Sequence, residues 1–258
     1  MKRIILGDMH GAYEIVENIY NKEHPDMVIM LGDYCDSFNY NPKEICKGYK
    51  NLRKLQKKHG KDKFITLLGN HDWHYLRTME RYSGFSTETN TMLNPLLTKD
   101  RADGLLPVVY IDNINKTIYS HAGLTKTWMK EWTIPSPEFV NECNENGLDF
   151  QMVSFDPYGN NRYHGPLWVR PEALINDFYG DGEWKQIVGH TRTYGKPLLL
   201  TKTTDSVSQC NNNPDDALLW VIDTLPFVYL RETLDDDGKL VNREMIQHLE
   251  YNKQNDIQ

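Results

Sequence analysis

Residues 63–74 read KFITLLGNHDWH. An apolar, β-type run ends in Gly69-Asn70-His71-Asp72 and continues into a second histidine. Asn, His and Asp cost free energy when buried without partners, so a strand that ends in three of them needs partners from elsewhere in the chain. The same form occurs twice upstream. RIILGDMHG (Arg3–Gly11) is followed by AYEIVENIYNK, with helical spacing at Ile15, Ile19 and Tyr20. DMVIMLGDYCD (Asp26–Asp36) is followed by PKEICKGYKNLRKLQKKHG, with Ile45, Tyr49, Leu52 and Leu55 on one stripe and Gly60 as its stop. Short apolar runs alternating with amphipathic helices predict βαβ units whose strands are buried on both faces.

Downstream, residues 81–105 lose periodicity and are rich in Ser, Thr and Asn, which predicts a loop or small cap. LPVVYID and KTIYSHAGL follow as strands, with Asn113-Ile114-Asn115 as the hairpin turn. Residues 125–165, with Pro135, Pro137, Pro157 and Gly159, read as a second insertion, helical in part. QIVGHTRT, KPLLLTKT, ALLWVIDT and FVYLRET complete the strands; Asp235–Gly238 reads as a solvated turn, and the tail after His248 as frayed. The expectation is one α/β (α+β) domain over residues 1–258, with insertions at about 81–105 and 125–165.

Composition narrows the class. The chain has 258 residues, 39% hydrophobic and 25% charged, with a formal net charge of −7, so there is no basic excess for an extensive nucleic-acid surface. Four scattered cysteines without a C-x-x-C pair suit reduced thiols in a cytoplasm. The apolar run after Met1-Lys2-Arg3 is too short for a signal-peptide core, and no run approaches the roughly 20 residues that span a bilayer. The expected location is cytoplasmic, with no membrane partner.

Five apolar runs end alike: Gly7-Asp8-Met9-His10-Gly11, Gly32-Asp33-Tyr34-Cys35-Asp36, Gly69-Asn70-His71-Asp72, Ser120-His121-Ala122-Gly123 and Gly189-His190-Thr191. Sites in open α/β sheets form at the carboxyl ends of strands. One such histidine alone would read as a hydrogen-bonded structural residue, and one aspartate as a turn or cap. Five together read as a metal site. The donors are hard oxygen and imidazole without sulfur, which suits Mn²⁺, Fe, Zn²⁺ or Mg²⁺.

The order GDxHG, GDxxD, GNHD, HAG, GHT resembles the calcineurin-like metallophosphoesterases. Within them it is similar to the phosphoprotein-phosphatase branch, which includes bacterial and phage protein phosphatases and symmetrical diadenosine tetraphosphatases. Leu167-Trp168-Val169-Arg170 also looks like the W-[IV]-R segment of bacterial members. The resemblance implies a central β-sandwich flanked by helices, with a dinuclear centre at its edge holding two divalent ions, Mn²⁺ foremost, with Fe, Zn²⁺, Ni²⁺ or Mg²⁺ as alternatives. It implies Asp8, His10 and Asp33 on one ion, and Asp33, Asn70, His121 and His190 on the other. A metal-bridging hydroxide would attack phosphorus, and His71, held by Asp36, would protonate the leaving oxygen. Asp72 is expected to cap the helix starting beside it; His74 reads foremost as a residue of that helix's surface, with support of the site residues from behind as the alternative.

Two departures bear on substrate. The family's second motif continues Asp-Arg-Gly, whereas here it reads Asp36-Ser37-Phe38; Arg170, Arg77 and Arg192 are the candidates to bind substrate phosphate instead. The last motif is Gly-His-Thr-Arg, where phosphodiesterases and nucleases of the superfamily show Gly-His-x-His, so Arg192 favours a phosphatase. The expected substrate is a phosphate monoester on a protein or nucleotide. The alternatives are a diadenosine-tetraphosphate-type hydrolase, a phosphodiesterase or nuclease, and a non-catalytic metal-binding scaffold, for which Asp36 and His71 would have no use.

Overall fold

The computed structural model describes the chain except for residues 38, 78–80, 146–157, 181, 203–205, 211–213 and 249–258, and the side chains of 143–145. The expected frayed tail after His248 and the middle of the second insertion lie outside the described residues. The elements in chain order are β1 (Lys2–Leu6), α1 (Tyr13–Glu23), β2 (Met27–Met30), α2 (Pro42–His59), β3 (Phe64–Thr66), α3 (Asn70–Leu76), α4 (Thr87–Ala102), β4 (Val109–Asp112), β5 (Thr117–Ser120), α5 (Lys126–Glu131), α6 (Phe139–Glu145), α7 (Pro171–Asn176), β6 (Lys185–Arg192), β7 (Leu198–Lys202), β8 (Val207–Gln209), β9 (Leu219–Asp223), β10 (Val228–Leu234) and β11 (Leu240–Gln247). They fall into two compact units, Met1–Pro107 with Thr224–Gln258, and Val108–Asp223. Each carries one mixed sheet with helices, as expected for an α/β chain.

The first unit holds the sheet β11-β10-β1-β2-β3. β1, β2 and β3 are parallel, and β10 and β11 add as antiparallel strands. The predicted βαβ units are present. β2 and β3 are buried throughout, as runs without alternation require. Asn41 caps α2 by accepting from the Lys43 and Glu44 amides, Pro42 occupies its first turn, and Gly60 ends it. Three ionic groups are buried as a set: Arg3 and Arg243 each donate to Glu232, at 2.6 and 2.7 Å, tying β1 and β11 to β10. The Asp235 carboxylate accepts from the Asp237 and Lys239 amides, making the expected turn.

The segment expected as a loop or cap at 81–105 contains a 16-residue helix, α4. Ser86 caps it and Leu93 and Leu97 are fully buried. Its Thr and Asn residues are weak helix formers, so tertiary burial of this short apolar stripe overrides local preference.

The second unit holds the sheet β4-β5-β6-β9-β7-β8. β4 and β5 form the predicted hairpin, β5, β6 and β9 are parallel, and β7 and β8 are antiparallel additions. Pairing of β6 with β9 breaks between Val188 and Arg192. Gly189-His190-Thr191 therefore forms a bulge inside β6 and not a strand end. Such bulges re-aim a side chain.

Candidate metal and catalytic site

In the first unit, the turns after β1 and β2 are stapled together, because Asp33 carbonyl oxygen accepts from the amides of Met9 at 3.2 Å and His10 at 2.7 Å. This gathers Asp8, His10 and Asp33, whose ligand atoms lie within 4.8 Å of one another. His10 Nε2 is 3.7 Å from Asp33 Oδ2, and Asp8 and Asp33 are buried. A cluster of two carboxylates and an imidazole with no cationic side chain among them fits a divalent ion.

Backbone conformation is unusual at the motif residues of each unit. His10, Asp33 and Asp36 of the first unit have φ of 42°, 54° and 62°, and His190 of the second has 61°, together half of the eight non-glycine residues with positive φ among the described residues. Each costs about 1–3 kcal/mol, and such conformations cluster at functional sites. Gly69 permits the approach of the GNHD turn to Asp33: a Cβ there would lie 2.2 Å from Asp33 Oδ1 and 2.3 Å from its amide nitrogen.

The GNHD turn opens α3. Asn70 is its first residue and is buried. The His71 amide donates to Asp33 Oδ1 at 2.9 Å. Asp72 caps the helix as expected, accepting from the Gly69 amide at 3.0 Å. It also accepts from the Tyr34 and Cys35 amides at 2.8 and 3.0 Å, locking α3 to the turn after β2.

That lock brings Asp36 to His71, with His71 Nδ1 2.8 Å from Asp36 Oδ2. Burial alone would disfavour charge on the imidazole, but the carboxylates of Asp33, Asp36 and Asp72 prevail and raise its pKa to about 9. Burial likewise opposes ionisation of Asp36, yet hydrogen bonds from His71, His74 and Tyr75 hold its carboxyl down at about 2.

His74 corrects the sequence reading. It is not on the helix surface: its side chain is fully buried and Nε2 lies 2.7 Å from Asp36 Oδ2. Tyr75, unremarked in the sequence, donates its hydroxyl to Asp36 Oδ1. The available signal was the i, i+3 spacing of His71 and His74, which puts both rings on one helix face.

In the second unit, His121 follows β5 and His190 occupies the β6 bulge. Parallel pairing of these strands brings His121 Nε2 to 3.1 Å from His190 Nδ1. Nitrogens bound to one ion at about 2.0–2.1 Å each stand about 3 Å apart, so the pair has the spacing of two ligands to one metal. His190 Nε2 lies 3.0 Å from Trp168 carbonyl oxygen. A proton donated there leaves Nδ1 with its lone pair.

The three arginines separate. Arg170 Nη1 donates to His190 carbonyl oxygen at 2.8 Å and to Thr191 Oγ1 at 3.1 Å. Arg192 is exposed, over the Tyr194 ring at 5.6 Å. Arg77 is exposed at the end of α3, over the Trp73 ring at 5.3 Å.

These features accord with what comparison shows. The model of the calcineurin-like phosphoesterase family matches residues 1–215, and the chain belongs to that family. Two relatives are symmetrical bis(5'-nucleosyl)-tetraphosphatases. That of Baumannia cicadellinicola is 29% identical over 136 residues, covering 50% of this chain and 44% of its own. That of Escherichia coli O139:H28 is 30% identical over 141 residues, covering 50% and 45%. The matches thus span less than half the length of these relatives. A solved protein serine/threonine phosphatase from Saccharomyces cerevisiae aligns over 98% of this chain and 82% of its own, with a TM-score of 0.58 at 15% identity, a likeness of fold.

Proposed function

We propose that this chain is a metal-dependent phosphatase acting on phosphate monoesters of protein or nucleotide type, with His71 as general acid. The carrying observation is the His71–Asp36 pair at 2.8 Å, joined through the His71 amide to Asp33 of the Asp8–His10–Asp33 group. We assign Asp8, His10 and Asp33 to one divalent ion, and Asp33, Asn70, His121 and His190 to a second, following the motif order of the family. The oxygen and imidazole donors accept Mn²⁺, Fe, Zn²⁺, Ni²⁺ or Mg²⁺, and the family resemblance puts Mn²⁺ first. When bound, such ions lower the pKa of a water nucleophile and neutralise charge on phosphoryl oxygens.

The residues themselves do the rest. Asp36 holds His71 Nδ1 and leaves Nε2 to carry the proton given to the departing oxygen. A divalent ion held by Asp33 would offset part of the negative field that raises His71. Arg170 supplies paired donors for the phosphoryl group in place of the missing Asp-Arg-Gly arginine; Arg192 and Arg77 are weaker candidates, being exposed and set over aromatic rings. The match crosses both units, which supports treating residues 1–258 as one catalytic domain with insertions at about 81–105 and 125–165.

No helix among the described residues is long and apolar enough to cross a membrane. The described cysteines Cys35, Cys46 and Cys210 are free thiols, which supports a cytoplasmic setting. The test is hydrolysis of p-nitrophenyl phosphate against bis-p-nitrophenyl phosphate, with Mn²⁺ and with chelator. Metal-dependent monoester turnover is expected; diester turnover alone, or none, overturns the reading. The tetraphosphatase relatives favour a second reading, hydrolysis of a dinucleoside tetraphosphate. Symmetrical cleavage would release two nucleoside diphosphates, resolved by chromatography.

A further inference from the structure

The imidazole of His74 has no part in the motifs that define the site, yet it is among the most enclosed side chains of the first unit. Its exposure is 0%. The Tyr82 ring stacks on it at 5.5 Å and 15°, and Tyr75 and Phe85 meet it edge-on at 4.3 and 5.2 Å. The Tyr82 amide donates to His74 Nδ1 at 3.3 Å. In the neutral ring this places the proton on Nε2, the nitrogen 2.7 Å from Asp36 Oδ2.

Residues 82–86, ahead of α4, complete the enclosure. The Ser86 amide donates to the Tyr75 hydroxyl at 3.1 Å, and that hydroxyl donates to Asp36 Oδ1. Gly84, at φ +90°, passes so close that a Cβ would sit 3.1 Å from Asp36 Cβ. Asp36 itself has φ of 62°, a strained conformation that persists only where its surroundings over-determine it.

A carboxylate that orients a general acid must keep one oxygen in place while the imidazole turns over protons. With His71 as its sole partner, Asp36 could rotate about χ2 and lose that alignment. Partners on both oxygens, His71 and His74 at Oδ2 and Tyr75 at Oδ1, all from α3, with Gly84 packed behind, oppose that rotation.

We infer that His74 is a positioning residue for proton transfer, fixing Asp36, and through it His71, by the 2.7 Å ion-pair approach of Nε2 to Asp36 Oδ2, which residues 82–86 enclose. This rests on His71 as the general acid. It assigns a function to residues 82–86, of which Gly84 packs against Asp36.

The test compares an alkyl phosphate, which needs leaving-group protonation, with p-nitrophenyl phosphate, which needs little. His74→Asn retains an acceptor near the Tyr82 amide and removes the Nε2 donor. It is expected to lower kcat for the alkyl phosphate about 10- to 100-fold, the usual scale for outer partners of a site, with KM nearly constant and a distinctly smaller loss for p-nitrophenyl phosphate. His74→Gln, whose amide reaches the Nε2 position, should restore most of the alkyl rate. Tyr75→Phe should shift the alkyl-to-aryl ratio in the same direction. Equal losses on both substrates in the two His74 variants, or a wild-type ratio in both, overturn the inference. His71→Asn measured in parallel separates the levels. A changed ratio there with an unchanged ratio at His74 defeats this inference alone, and an unchanged ratio at His71 defeats the general-acid reading beneath it.

Discussion

His71 Nδ1 stands 2.8 Å from Asp36 Oδ2, so a ring proton donated to the carboxylate leaves Nε2 as the outward nitrogen, the one the proposed general-acid role requires. His71→Asn is therefore expected to slow alkyl phosphate hydrolysis by about 10²–10⁴-fold, the range for a general acid. Metal content should stay near that of the unaltered protein, by elemental analysis. Asp36→Asn should act in the same direction, and the double variant should be less than additive because the two side chains act as one unit.

The same pair sets a pH dependence of stability in the metal-free protein. His71 has its folded pKa raised from 6.5 to about 9. Its contribution is fully present below pH 6.5 and is lost as pH rises through about 9. The difference corresponds to about 3 kcal/mol as an upper scale. Chelator-treated protein should lose stability across that window in urea titrations, and His71→Asn should flatten the slope. Asp36, lowered from 3.8 to about 2, works at the acid end. Its contribution is present above pH 3.8 and is lost as pH falls through about 2.

Gly69 makes a prediction from space alone. A methyl group 2.2 Å from Asp33 Oδ1 must push either the GNHD turn or Asp33 aside. Gly69→Ala should destabilise the protein by about 1–3 kcal/mol, the usual cost of overpacking, and weaken metal binding, read by calorimetric titration with Mn²⁺. Asp33→Asn should weaken binding without the steric term. Two tightly held ions per chain in that variant would remove Asp33 from the shared position.

Arg170 touches the His190 carbonyl and Thr191 hydroxyl, while Arg192 stands over Tyr194. Arg170→Ala should lose about 2–4 kcal/mol of transition-state stabilisation, roughly 30- to 1000-fold in kcat/KM. Lysine should recover part of it, keeping charge without the planar fork. Arg192→Ala should be the milder change; the reverse order would assign the phosphoryl group to Arg192.

Much of this was legible in the chain because it is local. A Gly-Asp or Gly-Asn after a buried run marks where a strand stops and a polar group is presented, and the helical stripe after it marks the return. Those signals located β1, β2, β3, α1 and α2, and named Asp8, Asp33, Asn70 and His71 as a set. Asp72 was legible for the same reason, since its cap bond spans three residues. The hairpin β4–β5 and the turn at Asp235–Gly238 also depend on near neighbours.

Tertiary structure decided what depends on distant partners. His74 looks like a surface residue until Asp36, 38 positions earlier, is brought against it by the Asp72 bonds to the Tyr34 and Cys35 amides. α4 lacks a strong intrinsic helix preference and forms where Leu93 and Leu97 find a core. The approach of His121 to His190 comes from β5 pairing with β6, and the bulge that aims His190 is a property of the β6–β9 register. Sequence periodicity reports the face a residue takes on its own element; which residue meets it there is set by pairing and packing between elements far apart in the chain.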